Sequence, residues 1–326
     1  MTDETRENFL PTASIENLTR RSHLLQRVRE FFLERDFLEV DTPVLSRDTV
    51  VDCYIDPISV TLGNSAEKFW LQTSPEFAMK RLLAAGMESI FQITRAFRDS
   101  ERGDLHNPEF TIVEWYMVGQ SYSDGQQMLG ELLAHSLDDV DSFSRVSYEA
   151  AFRETLNINP HTCSVDELKN AASNHNVVPP SSMNTNDRDE WLNLLLAECV
   201  EHTLGIDQPT IMYDYPASQA ALACVDNSGE APVAQRFEAY YKGMELANGY
   251  FELCDAEEHQ HRNDSNNKKR RADSRSELPT QSYLLSAMSH GLPQSTGVAL
   301  GFDRLVMLAA NSSLIDDVIP FPIERA

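Results

Sequence analysis

Residues 22 to 35, SHLLQRVREFFLER, carry Leu24, Leu25, Val28, Phe31 and Phe32 at helical spacing on one face. The pattern predicts an amphipathic helix with Ser22 as its N-cap. DFLEVDTPVL follows as a short β-type segment that Pro43 ends or edges, because proline cannot donate to a ladder. EKFWLQTS (67 to 74) reads as a strand, and PEFAMKRLLAAG (75 to 86) as a helix with Pro75 in its first turn and Gly86 at its end. SIFQITRAFRD (89 to 99) and EFTIVEWYMV (109 to 118) alternate as strands around a long charged loop, and long ordered loops tend to be functional. From about 123 to 205 the pattern is mostly helical, with a polar break at PPSSMNTNDRDE (179 to 190). Strands return in PTIMYDYP (209 to 216), in RFEAYYKGMELANGYFEL (236 to 253) and in TGVALGFDRLVMLAA (296 to 310), where a glycine-punctuated strand runs into a helix. No internal repeat is evident. This order predicts an α+β fold, an antiparallel β-sheet flanked by helices, rather than βαβ alternation.

Composition narrows the class. At 326 residues and 41% hydrophobic, the chain is long enough for one large core or two modest ones. Its net charge of -24, from 27 basic and 51 acidic residues, repels a polyanion, which disfavours an extensive nucleic-acid surface. The five cysteines are widely spaced with no C-x-x-C pair, so they are expected to be reduced and mostly buried. No apolar leader or spanning run is present in the sequence, which places the protein in the cytosol as an expectation. One basic run stands out, KKRR at 268 to 271, extended by Arg262 and Arg275. It reads as a solvated face or, alternatively, as a docking strip for an acidic partner.

Candidate chemistry clusters at the charged loop and near the C-terminus. Arg98 closes a strand at the mouth of the hairpin, where a guanidinium makes a charge-assisted contact to phosphate. Arg304, in GFDR, is placed to do the same, while Gly297 and Gly301 remove side chains and let the backbone approach a flat ligand. Phe110 is placed to stack on a purine, and His106 with Asn107 to hold phosphate or amino-acid groups. Each alone has an ordinary reading, a surface ion pair or a core aromatic; the combination suits a nucleotide. Glu245 and Glu252 stand seven apart in ELANGYFE, on a strand interrupted by Asn248 and Gly249, where a bulge or turn would bring both carboxylates to one pocket. Magnesium binds through one or two carboxylates plus phosphate oxygens, so it is the implied metal.

These segments together resemble the catalytic domain of class II aminoacyl-tRNA synthetases. The helix-strand ending in Pro43 resembles motif 1 (about 22 to 45), FRDSERGDLHNPEF motif 2 (about 90 to 116) and GVALGFDR motif 3 (about 296 to 310). TSPEFAMKRLL, HNPEFTIVEWY and KGMELANGYFEL are similar to the lysyl branch. Motif 1 begins too early for an N-terminal anticodon-binding domain, so a single catalytic domain over 1 to 326 is expected. That truncation, Ser74 where lysyl-tRNA synthetases generally carry alanine, and the acidic charge make the chain similar to the truncated paralogues that activate (R)-β-lysine with ATP and Mg2+ and join it to a lysine of elongation factor P.

The resemblance implies ATP contacts from Arg98, Asp99, Ser100, Glu101, His106, Asn107, Phe110, Glu245, Leu246, Gly301 and Arg304. It implies an amino-acid pocket of Ser74, Pro75, Glu76, Tyr116 and Glu252, with Arg98 and Arg304 as the catalytic pair. Motif 2 often reads Arg-Asn-Glu; here it is Arg98-Asp99-Ser100 followed by Glu101, so the adenine contact falls to Glu101 or to backbone. A homodimer is expected, since motif 1 builds a two-fold interface in this class. Two other readings stay open: an enzyme acting on tRNA or another amine, and a non-catalytic amino-acid sensor, which would be expected to lose the arginines and carboxylates that are present here.

Overall fold

The first helix, α1 (Ile15–Leu33), begins seven residues earlier than its apolar pattern, capped by Ser14, whose hydroxyl accepts from the Asn17 amide. Ser22 is an exposed mid-helix residue, not the cap. The apolar period hides the first two turns because the buried position there is Arg21, ion-paired to Asp303 at 2.6 Å and donating to Thr111 at 2.7 Å. The computed structural model describes residues 9–63 and 67–326, so most of the N-terminal stretch read above as lacking a leader lies outside the described residues.

After α1 come β1 (Leu38–Glu39), β2 (Leu45–Ser46), β3 (Ser59–Thr61), β4 (Lys68–Leu71) and α2 (Glu76–Ala84). The hairpin of β5 (Ser89–Phe97) and β6 (Glu109–Val118) leads into α3 (Tyr122–Ser136). The region expected to be helical contains a short strand, β7 (Ser144–Ser147), before α4 (Tyr148–Leu156), α5 (Val165–Asn174) and α6 (Arg188–Leu195). Then follow β8 (Thr210–Pro216), β9 (Val225–Asp226), β10 (Val233–Tyr241), β11 (Met244–Phe251), α7 (Ala256–Ala272), α8 (Tyr283–Gly291), β12 (Ser295–Gly301) and α9 (Phe302–Ala310).

One sheet runs in the order β1-β5-β6-β12-β11-β10-β8-β7, with β9 on β10; a small second sheet is β2-β4-β3. β1 pairs parallel with β5 and β7 with β8, and the other pairings described are antiparallel. The α+β expectation therefore stands. Strand alternation splits the central strands into two faces. Val113, Trp115, Val298 and Leu300 point into the main core beneath α1, α3 and α9, where Phe32 stacks on Phe91 at 4.6 Å. Glu114, Tyr116, Gly297 and Ala299 belong to the opposite face and line a cavity. A second core gathers α4 to α6 against β8 and β10.

β10 and β11 are two strands, joined by Lys242 and Gly243, both at left-handed φ (51° and 70°), as a two-residue hairpin requires. The break expected at Asn248 and Gly249 is absent; both are paired within β11. All five cysteines are free, but only Cys53 and Cys163 are buried. Among the described residues no helix is long and apolar enough to cross a membrane.

Candidate active site

A cavity of about 360 Å³ opens on the polar face of β6, β12 and β11, between α2, α7 and the β5–β6 loop. Its floor is β12, where Gly297, Ala299 and Gly301 alternate on the cavity side. Gly297 is required by close approach: a Cβ there would overlap Glu252 Oε1 and the Tyr116 ring.

At one end stand the arginines. The β5–β6 loop folds back on itself through paired backbone bonds between Gly103 and His106 (3.1 and 3.2 Å). Arg102 ties it to Asp316 and Glu324, each at 2.8 Å. Arg98 lies over Phe110, its guanidinium carbon 5.0 Å from the ring centroid, and 3.6 Å from Glu101. Its Nε is buried without a hydrogen-bond partner among the described residues. Arg304 is set by Asp303, which accepts from the Thr111 amide at 2.7 Å and pairs with Arg21. From there Arg304 donates to the Glu245 carbonyl at 2.8 Å and lies 2.6 Å from His106 Nε2. Burial and the neighbouring Arg304 push the His106 imidazole below its usual range, which keeps it neutral.

At the other end is a buried charge cluster. Lys80 is 2.6 Å from both Glu76 and Glu252. Burial opposes its charge, but Glu252 and then Glu76 outweigh that and hold the ammonium protonated. Glu252 is pushed up to about 7 by burial, with Lys80 opposing and Glu76 adding. Tyr116 donates to Glu114 at 2.7 Å. Glu114 is driven well above the carboxylate range by burial and then by Glu76. Sequence reading missed both Glu114 and Lys80. A single acid inside TIVEWY, and a lysine on the apolar face of EFAMKRLL, were the available signals.

The structure revises several assignments. Asp99 and Ser100 are exposed on the outer turn and do not line the cavity, whereas Glu101 does. Asn107 lines it, yet its amide is engaged at both ends, donating to the Glu109 carbonyl at 2.7 Å and accepting from the Ile323 amide at 3.0 Å; it fastens the loop. Pro75 starts α2 behind the cavity, which Ser74 and Glu76 line. Glu245, Leu246, Glu252 and Gly301 all line it, but Glu245 and Glu252 cannot share one ion. Seven positions at ~3.3 Å per residue separate them by about 20 Å, and Glu252 is already paired with Lys80. They reach the same face because β11 carries an extra residue at Leu246, opposite Ala239 and Tyr240, which offsets their odd spacing.

Near the arginines, burial and Glu238 raise Glu245 while Arg304 opposes. Burial, Glu245 and Glu238 push Glu201 up to about 7. Glu238 itself is engaged by Arg236, Tyr215 and Tyr240. Glu245 is thus the carboxylate open to the cavity, 41% exposed, in a locally acidic setting suited to a cation that also takes phosphate oxygens.

A strand-floored cleft with one arginine from a hairpin and another from a following helix is the site of a class II synthetase, and the chain belongs to that family: the model for tRNA synthetases class II (D, K and N) matches residues 9–325. Membership implies use of ATP. Among individual relatives, the protein from Sodalis glossinidius named elongation factor P--(R)-beta-lysine ligase is 43% identical over 98% of both chains. Those of the same name from Hamiltonella defensa and Haemophilus influenzae are each 41% identical, again over 98% of both.

Proposed function

We propose that this protein is an ATP-dependent, AMP-forming ligase that activates (R)-β-lysine and transfers it to the ε-amine of a lysine on elongation factor P. The observation that carries the reading is the buried end of the cavity, where Glu76, Glu114 and Glu252 face one lysine. Ionised, that set leaves two negative charges, the complement of a substrate with two ammonium groups. The full-length relatives bearing this activity support the same substrate and acceptor.

In the first step a carboxylate oxygen of the amino acid attacks the α-phosphorus of ATP and pyrophosphate leaves. Arg98, with a free Nε donor, and Arg304 offset the charge growing on the phosphoryl oxygens. Phe110 stacks on adenine, and Glu101, the motif 2 acid that faces the cavity, contacts its amino group. Glu245 would hold magnesium, which when bound screens the polyphosphate. In the second step the acceptor amine attacks the acyl carbon of the mixed anhydride, AMP leaves and the amine loses a proton. The anhydride is already activated, so positioning is the main requirement.

The protein is inferred to act in the cytoplasm, with elongation factor P, as a homodimer. Exposed Phe9 and Ile15 (both 73%) and Leu38 (56%) sit around the two ends of α1, apolar surface that a two-fold partner would cover. Light scattering giving the 36.8 kDa monomer mass would reject the dimer.

The primary test is ATP–pyrophosphate exchange with (R)-β-lysine and α-lysine, followed by intact mass of elongation factor P. Exchange preferring (R)-β-lysine with a mass gain on the protein is expected. Exchange with α-lysine and charging of tRNA would overturn the reading.

A further inference from the structure

The basic run on α7 faces in two directions. Lys268, Lys269 and Arg271 are exposed, whereas Arg270 is 2% exposed and belongs to a buried polar stripe with His259, Asn263 and Asn267. Arg270 reaches residues 51 to 56, a segment without strand or helix of its own. It donates to the Asp52 carbonyl at 2.9 Å, to the Ile55 carbonyl at 3.1 Å and to Asp56 Oδ1 at 2.7 Å. Arg275 donates to the Cys53 and Tyr54 carbonyls at 3.2 and 3.0 Å and to Asp56 Oδ2 at 3.2 Å. Asn266 donates to the Val51 carbonyl at 2.8 Å. Five successive carbonyls are thereby satisfied by side chains from α7 and the turn after it.

That segment is a wall of the cavity, contributing Val51, Asp52 and Ile55. Its last carbonyl, on Asp56, accepts from the Asp99 amide at 2.8 Å, one residue beyond Arg98. On the opposite side Arg262 donates to the Ala221 and Ala223 carbonyls, both at 2.8 Å, fixing a second stretch of wall around Leu222.

We propose that Arg270, supported by Arg275 and Asn266, is a positioning residue for the amino-acid substrate, holding segment 51–56 as the cavity wall. A loop in which five of six carbonyls are met by side-chain donors loses its place when those donors go. The basic run is therefore in part an internal strap rather than wholly a docking strip.

The proposal rests on the lysine-ligase reading, and its test keeps the two apart. Steady-state ATP–pyrophosphate exchange is measured for Arg270→Ala, Arg270→Lys, Arg275→Ala and Asn266→Ala. Trp191→Phe, a core change in the second cluster, serves as a control for general destabilisation. Arg270→Ala is expected to raise KM for (R)-β-lysine roughly tenfold or more with kcat within about threefold. Arg270→Lys recovers little, since one ammonium cannot reproduce the fork, and Arg275→Ala and Asn266→Ala give smaller KM increases. Trp191→Phe lowers Tm without moving KM. Should Arg270→Ala not fold, the two milder variants carry the test. A wild-type KM in every folded strap variant, or a KM shift matched by Trp191→Phe, overturns the strap alone. A wild-type protein silent with every lysine isomer overturns the ligase reading.

Discussion

Glu114 is an acid whose charge is disfavoured by burial and then by the neighbouring Glu76, and a diammonium substrate reverses that balance. With Glu252 pushed up to about 7 and Glu114 raised well above the usual carboxylate range by burial and then by Glu76, the pocket holds protons that substrate must displace. KM for (R)-β-lysine is therefore expected to fall as pH rises from 6 toward 8, by up to about tenfold per unit, while KM for ATP changes little. Glu114→Gln should raise the amino-acid KM roughly 10- to 100-fold. The same change should stabilise the fold at pH 8. An acid whose folded pKa is raised contributes stability below its unfolded pKa and loses it as pH rises, and glutamine removes that loss. His259 has the opposite sign. Burial, then Lys80 and Arg262, push it down to about 4, and neither ring nitrogen has a partner among the described residues. A base with a lowered folded pKa leaves stability intact above its ordinary 6.5 and loses it as pH falls toward 4. His259→Phe should therefore lessen the loss of unfolding free energy between pH 7 and 4, by on the order of 3 kcal/mol. Urea denaturation of both proteins across that range, with equal slopes, would show no such role.

Between β6, β11 and β12 the site depends on what the strands leave out. Gly297→Ala should displace Glu252 and Tyr116, raising KM for (R)-β-lysine roughly 100-fold and costing about 1–3 kcal/mol of stability, with KM for ATP within about threefold. Equal losses for both substrates would mean the strand itself had moved. Elements with a clean period, such as β5, β6 and α2, were legible in the sequence; those whose buried positions are polar were not. Arg21 concealed the first turns of α1, and the four-residue β7, SRVS, is too short and too polar to stand out beside helices. Asn248-Gly249 carries a stronger turn signal than Lys242-Gly243, yet the turn falls at the latter. Gly249 is glycine because the Phe237 ring packs where its Cβ would be, a reason invisible until β10 is beside β11. The same applies to the site. Motifs marked the arginines, but that Glu101 faces the cavity while Ser100 faces solvent, and that β11 bulges at Leu246, emerge only from the folded loop and the strand pairing.

At the scale of the whole molecule, charge decides which acceptor can approach. A net charge of -24 surrounds a site that belongs to a family of tRNA synthetases, and proteins that grip nucleic acid neutralise phosphates with surface lysine and arginine. Here the arginines are largely spent internally: Arg21 on Asp303, Arg102 on Asp316 and Glu324, Arg270 on Asp56. On the basic run of α7 the exposed Lys268 and Lys269 are a small remainder, since Arg271 is paired with Glu277 at 2.7 Å. A protein contacting six to ten phosphates loses roughly 10³- to 10⁵-fold in affinity between 50 and 200 mM salt. This one is expected to show no such dependence, because added salt screens repulsion as well as attraction. Fluorescence anisotropy of labelled tRNA across that range should give no saturable binding at either end, while transfer to elongation factor P proceeds at both. Saturable tRNA binding that weakens steeply with salt, together with charged tRNA on a gel, would mean that a basic track had formed despite the overall charge, and would return the chain to the tRNA-charging members of its family.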